Sequence, residues 1–327
     1  MANLAEKRPD GSKGISLNQC IHPGYNKNFK ISDALTMMRF DKFVLGFDIS
    51  KAFHRLAIDD ENSSKFLFYW FKDVESRDFT PVVYRSKRVI FGMSVSPYLL
   101  QCSLYNMLIL ETDGDAEEIQ ELKKRIYQGS YVDNFMIGCA DEDEVEMVHR
   151  EASTIFEQHK FPLQQYVTNY SQFQYEIDCK VGTETPQEVK ILGMCWDRYN
   201  DVLKAKCVKL NVEADTPRQI LSSVMSIFDL NNANLPVLNR CKIFLRQLQS
   251  DYVDKWDTTL HGAQLNEWRN IASQFNNGER LEIPRYMGSR KSTFDIIVMS
   301  DANSTIALSW LADYENLRTK LQREVYM

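Results

Sequence analysis

The octapeptide Tyr131-Val132-Asp133-Asn134-Phe135-Met136-Ile137-Gly138 constrains the fold of this chain more than any other stretch. Apolar residues on either side of an Asp-Asn pair specify two short strands joined by a tight hairpin. The pair expected at its tip, Asp133-Asn134, holds one carboxylate exposed and aimed. A second carboxylate, Asp48, closes the apolar run Phe43-Val44-Leu45-Gly46-Phe47. Two strands that each end in an acid can share a pair of divalent metal ions.

The surrounding pattern supplies a sheet and its covering layer. A helix is expected over 31–40, with Ser32 as N-cap and Leu35, Met38 and Phe40 facing inward. Strand-like runs follow at 65–71 and 82–90, joined by a polar loop at 73–78. Pro97 sits in the first turn of an apolar helix reaching about residue 110, which Ser94 or Ser96 can cap. The acidic stretch 113–128 reads as another helix. Asp141-Glu142-Asp143-Glu144 opens a third, with Val145, Val148, Ala152, Ile155 and Phe156 on its apolar face. This order resembles a split β-α-β-β-α-β layout, an antiparallel sheet backed by helices. Further on, 190–197 reads as a strand pairing with 201–206. Helices are expected from Thr216-Pro217, over 236–252 and over 261–275, then a strand at 293–300 that ends at Asp301.

Composition narrows the classes. The chain has 327 residues, 44% of them apolar and 12% aromatic, enough for two or three folded domains. No apolar run approaches the roughly 20 residues that span a bilayer. The N-terminal residues lack a hydrophobic signal core, so a cytoplasmic or nuclear location is expected and no membrane partner. Seven scattered cysteines without a CxxC pair argue against a disulfide framework or zinc site. The net charge of −6 is local in origin, since residues 111–151 hold 13 acids against 4 Lys and Arg. A basic groove elsewhere is therefore compatible with the sum.

Three segments carry candidate chemistry. In Asp48-Ile49-Ser50-Lys51-Ala52-Phe53 the strand-end acid can ligate Mg²⁺, and the Ile49 backbone carbonyl offers another hard oxygen. Phe53 can pack beneath a sugar and sense its 2′ position. In Phe91-Gly92-Met93-Ser94, Gly92 lets a flat ligand approach the backbone. The third segment is the Asp133 hairpin. Each also reads as ordinary structure when taken alone: a capped turn, a strand-to-helix junction, a polar hairpin tip.

Taken in order, these pieces resemble the polymerase core of reverse transcriptases, and the LTR retrotransposon branch of Pao/BEL type fits best. The matching stretches are Gly14-Ile15-Ser16-Leu17-Asn18, Phe47-Asp48-Ile49-Ser50-Lys51-Ala52-Phe53, Phe91-Gly92-Met93-Ser94-Val95-Ser96-Pro97 and Tyr131-Val132-Asp133-Asn134. Ile191-Leu192-Gly193-Met194-Cys195-Trp196-Asp197, the 219–229 stretch and Ile283-Pro284-Arg285 extend the match. The resemblance implies an α+β fold: a right-hand polymerase palm, an antiparallel sheet backed by helices, with a helical thumb/connection region. It divides the chain into partial fingers (1–40), palm with finger strands 65–90 (41–210), thumb/connection (211–280) and a truncated RNase H-like start (281–327). It implies RNA-directed DNA polymerisation on an RNA or DNA template-primer from deoxynucleoside triphosphates, with two Mg²⁺ ions, or Mn²⁺, held by Asp48, Ile49 and Asp133. Phe53, Phe91, Gly92 and Tyr131 would contact nucleotide, and Arg218, Arg240, Lys242 and Arg246 the nucleic-acid phosphates, although a solvated helix face explains those four as well. Asn134 stands where the family's catalytic turn carries a second acid. Two functions thus stay open: a polymerase, or a degenerate, domesticated retroelement fragment acting as a nucleic-acid or protein-binding module.

Overall fold

The computed structural model describes residues 14–204, 209–227, 235–277, 282–293, 296–302 and 307–313. Residues 228 and 229 of the family match lie outside these residues. The chain divides into two units, Met1–Pro186 and Gln187–Met327.

In the first unit, α1 (Leu17–Cys20) and α2 (Ile31–Met37) precede β1 (Phe43–Ile49), α3 (Ala52–Arg55) and α4 (Asp60–Ser63). The hairpin β2 (Leu67–Asp73) and β3 (Asp78–Arg85) leads to α5 (Ser96–Tyr105), which continues as a π-helical turn, Asn106–Leu110. Then come α6 (Glu117–Gln128), β4 (Ser130–Tyr131), β5 (Asn134–Cys139), α7 (Glu142–Gln158), β6 (Leu163–Thr168) and α8 (Ser171–Val181). Strands β4-β5-β1-β6 form one antiparallel sheet with β1 inside it.

Pleating explains how the sheet is used. Successive strand residues face opposite sides. Phe43, Leu45, Phe47 and Ile49 of β1 join Phe135, Ile137 and Cys139 of β5 in one core with Leu100 and Leu104 of α5, Leu122 and Ile126 of α6, and the apolar face of α7. Phe47 stacks on Phe135 at 5.1 Å between ring centroids, and both meet Phe156 edge-on. Asp48 and its cross-strand partner Asn134 belong to the other register, away from the helical layer. Gly46 belongs to it too. A Cβ there would sit 2.7 Å from the Met136 sulfur and 2.8 Å from a Val167 methyl, so only glycine fits.

The α7 residues expected to point inward, Val145, Val148, Ala152, Ile155 and Phe156, are all buried. Asp141 caps the helix, accepting the Glu144 N–H at 2.9 Å. Other expectations need correction. α2 starts after Lys30 rather than Ser32, whose hydroxyl turns to the Asp33 carboxylate instead. Neither Ser94 nor Ser96 caps α5. Val95 is its N-cap, and the Ser96 hydroxyl donates to the Ile90 carbonyl at 2.8 Å. The 130–138 hairpin turns at Val132-Asp133, and Asn134 already pairs with Tyr131 in the ladder. β6 and α8 were not anticipated at all.

In the second unit, β7 (Glu188–Ile191), β8 (Met194–Asp197) and β9 (Val202–Lys204) lead to three helices, α9 (Pro217–Met225), α10 (Leu235–Asp251) and α11 (Gly262–Asn276). β10 (Glu282–Pro284) completes an antiparallel sheet of order β10-β9-β8-β7, and β11 (Ile296–Ala302) pairs with β12 (Ala307–Asp313). The stretch read as a single strand, 190–197, is instead a hairpin. Leu192 and Gly193 both have positive φ, 48° and 86°, which makes the sharp turn between β7 and β8. Asp201 ties the sheet together. It accepts two bonds from the fully buried Arg285 guanidinium, at 2.6 and 2.8 Å, and one from the Trp196 indole at 3.0 Å. The helices share a core of Ile220, Val224, Phe244, Leu248, Trp268 and Ile271. The Thr216 hydroxyl caps α9 as expected. Among the described residues no helix is long and apolar enough to cross a membrane.

Candidate active site

The sheet of the first unit brings Asp48 and Asp133 together from residues 85 positions apart. β1 and β5 pair with Asp48 opposite Asn134, and the Ile49 N–H donates to the Asp133 carbonyl at 3.2 Å. Asp133 occupies the second position of the turn, after Val132 at φ 59°. A β-branched residue in the left-handed region is strained, and such strain is found where a turn must aim a side chain.

The electrostatics follow from this placement. Burial, then the facing Asp133 carboxylate, pushes Asp48 up to about 6, against a bond from the Gln164 side chain that favours the ionised form. Burial also raises Asp133, opposed by bonds from its own backbone and from Asn134. The Asn134 amide donates to Asp133 Oδ1 at 3.0 Å. Two half-buried acids that repel one another are poised to gain from a cation between them. Hard carboxylate oxygens suit Mg²⁺ or Mn²⁺. The donor set therefore fits a divalent ion, and Ile49 lies directly behind Asp48 with its side chain in the core. Among the described residues no group of three or more His, Cys, Asp or Glu gathers to hold a metal.

Gln164 was missed from the sequence because β6 was. Its aim comes from a bulge: the register with β1 shifts between Gly46 and Asp48, and Gln165 has φ 55°. An extra residue in one strand redirects its neighbours, and here it turns Gln164 toward Asp48.

Phe53 is buried at the start of α3, with the Phe91 ring standing edge-on at 5.0 Å. Phe91 is itself 60% exposed. Gly92 has φ 86°, and the space where its Cβ would stand is open. Asn18 fastens this corner, donating to the Gly92 carbonyl at 2.7 Å and accepting the Ser94 N–H at 3.0 Å. Phe91, Gly92 and Asn18 line a small cleft with Lys65 and Phe68. Tyr131 is half-buried at the end of β4. In the second unit, Arg218 is held by Asp257 through two bonds, at 2.7 and 3.1 Å, and Arg240 donates to Gln274. Lys242 and Arg246 are exposed one turn apart on α10.

With this geometry in view, the fold is a mixed α+β one with antiparallel sheets, similar to retroviral reverse transcriptase. The foamy viral protease-reverse transcriptase dRH in complex with double-stranded DNA matches with a TM-score of 0.56 at 13% identity, over 94% of this chain and 48% of that one. The foamy viral protease-reverse transcriptase in complex with an RNA/DNA hybrid matches with a TM-score of 0.52 at 12% identity, over 89% of this chain and 34% of that one. This chain thus spans half or less of those structures. Residues 216–320 match the model of the Pao retrotransposon-like RNaseH-like domain, a stretch that includes α9, α10, α11 and the β11–β12 hairpin. No curated protein matches. These findings relate the chain to the reverse transcriptase and RNase H region of retroelements.

Proposed function

We propose that this chain is a retroelement reverse transcriptase whose first unit performs RNA-directed DNA synthesis at Asp48 and Asp133. The observation that carries the reading is the approach of these two acids at the end of β1 and the β4–β5 turn, half-buried and in mutual repulsion. Their carboxylates would hold divalent metal, two Mg²⁺ ions or Mn²⁺, which when bound supplies positive charge for phosphoryl transfer. Phe53, wedged beneath Phe91, presents a rigid edge to the sugar of a deoxynucleoside triphosphate. The open backbone at Gly92 gives a base room to lie flat. Tyr131 supports the primer end, and Arg240, Lys242 and Arg246 meet template-primer phosphates. Arg218 joins them only by exchanging Asp257 for phosphate.

On this reading residues 1–40 and the 65–90 strands belong to the fingers, 41–210 to the palm, 211–280 to the thumb/connection and 281–327 to an RNase H-like segment, although the RNaseH-like family match spans 216–320. The protein acts in the cytoplasm or nucleus. A second reading, a nucleic-acid or protein-binding module without catalysis, draws support from Asn134, whose amide occupies Asp133 where a further acid would help hold metal. Primer extension on a homopolymer template with Mg²⁺ or Mn²⁺ decides between them. Extension that Asp48→Ala abolishes supports the polymerase. Salt-dependent binding of template-primer with no extension by the unaltered chain supports the module.

A further inference from the structure

Gln101 is an amide set in hydrocarbon. It lies on α5 between Leu100 and Leu104, both fully buried, and is itself 1% exposed. Its Nε2 donates to the Val132 carbonyl at 3.2 Å, while its Oε1 is buried without a hydrogen-bond partner. A half-satisfied buried amide destabilises a fold, and methionine would fill similar volume without that penalty. The one bond it makes therefore explains its presence.

That bond lands where the backbone needs holding. Val132 is the strained residue of the turn, at φ 59°. The following carbonyl, of Asp133, is held by the Ile49 N–H at 3.2 Å. The two peptide planes that meet at the Asp133 Cα are thus pinned from different elements, one by α5 and one by β1. Fixing both planes fixes the direction of the Asp133 Cα–Cβ bond, from which the carboxylate is aimed.

We infer that Gln101 is a positioning residue of this site: its amide holds the Val132 turn in the left-handed conformation and so aims Asp133 at Asp48. The inference rests on the proposed function only for the use made of the acid pair. It extends that reading to a residue that touches neither nucleotide nor metal.

The test is Gln101→Met in the full chain, read by residue-resolved amide exchange and by Mn²⁺ affinity from electron paramagnetic resonance. Loss of one hydrogen bond should speed exchange of the Ile49 amide about fivefold to tenfold. Amides nearer the middle of β1 should keep their rates, and Mn²⁺ affinity should fall by a similar factor. Adding Val132→Gly, which takes the left-handed conformation without strain, should restore both. If Gln101→Met does not fold, Gln101→Asn, too short to reach Val132, is measured in the same way. Unchanged Ile49 exchange overturns the inference. So does failure of the glycine to rescue, which would leave Gln101 a packing residue. If the unaltered chain binds no Mn²⁺, the metal reading fails while the exchange data still decide the positioning role.

Discussion

Replacing Asp48 by asparagine should stabilise the first unit at neutral pH, because the native fold holds this acid where its charge is unwelcome. Its folded pKa is raised from 3.8 to about 6, by burial first and by Asp133 second. A raised carboxylate binds its proton more tightly in the folded chain than in the unfolded one. The contribution of Asp48 to stability is therefore greatest below about 3.8, declines as pH climbs through about 6, and then stays low. Two units correspond to about 3 kcal/mol at 1.36 kcal/mol per unit. Asp48 is only half-buried, so solvent screening brings the expected gain in Asp48→Asn to about 1–2 kcal/mol at pH 8. The gain should shrink to roughly a third of that at pH 4.5. Hydrogen exchange of peptides covering β1 and β5 along a urea gradient reports this unit alone. Adding Mg²⁺ should stabilise the unaltered chain and not the variant. A variant that is neutral or less stable at pH 8, with no dependence on pH, would refute the claim that the two acids repel one another in a desolvated site.

Other consequences are simpler to check. Gly46→Ala should cost about 1–3 kcal/mol by overpacking against Met136 and Val167, seen as a lower urea midpoint for β1 peptides. Asp201→Asn should cost about 3–5 kcal/mol in the second unit, since it takes the Asp201 carboxylate away from the buried Arg285 guanidinium, and hydrogen exchange of peptides covering β8 and β9 should report the earlier unfolding. Lys242→Gln with Arg246→Gln should reduce the slope of log affinity for template-primer against log salt by about 1.8, at 0.9 per lost phosphate contact, without changing the melting temperature.

How much of this was legible depended on whether local signals agreed with tertiary demands. α7 was readable because Asp141 and a run of apolar residues at helical spacing pointed the same way. The β7–β8 hairpin was hidden because its turn, Leu192-Gly193, sits in an unbroken apolar run; the glycine was the only cue. β6 carries glutamines where a strand pattern would show apolar alternation, so both the strand and the aim of Gln164 escaped notice. The acid pair itself was visible as two carboxylates at the ends of apolar runs. The turn was misplaced by one residue because Asn accepts the left-handed conformation far more readily than Val. The fold places Val132 there instead, and hydrogen bonds from α5 to its carbonyl and from β1 to that of Asp133 oppose the local preference.

Anomalous scattering from crystals soaked in Mn²⁺ with template-primer and a deoxynucleoside triphosphate addresses the acid pair itself. A manganese peak bound by the carboxylates of both Asp48 and Asp133 is the predicted result. A well-ordered site with no peak there, or a peak that leaves either acid unliganded, would contradict the account.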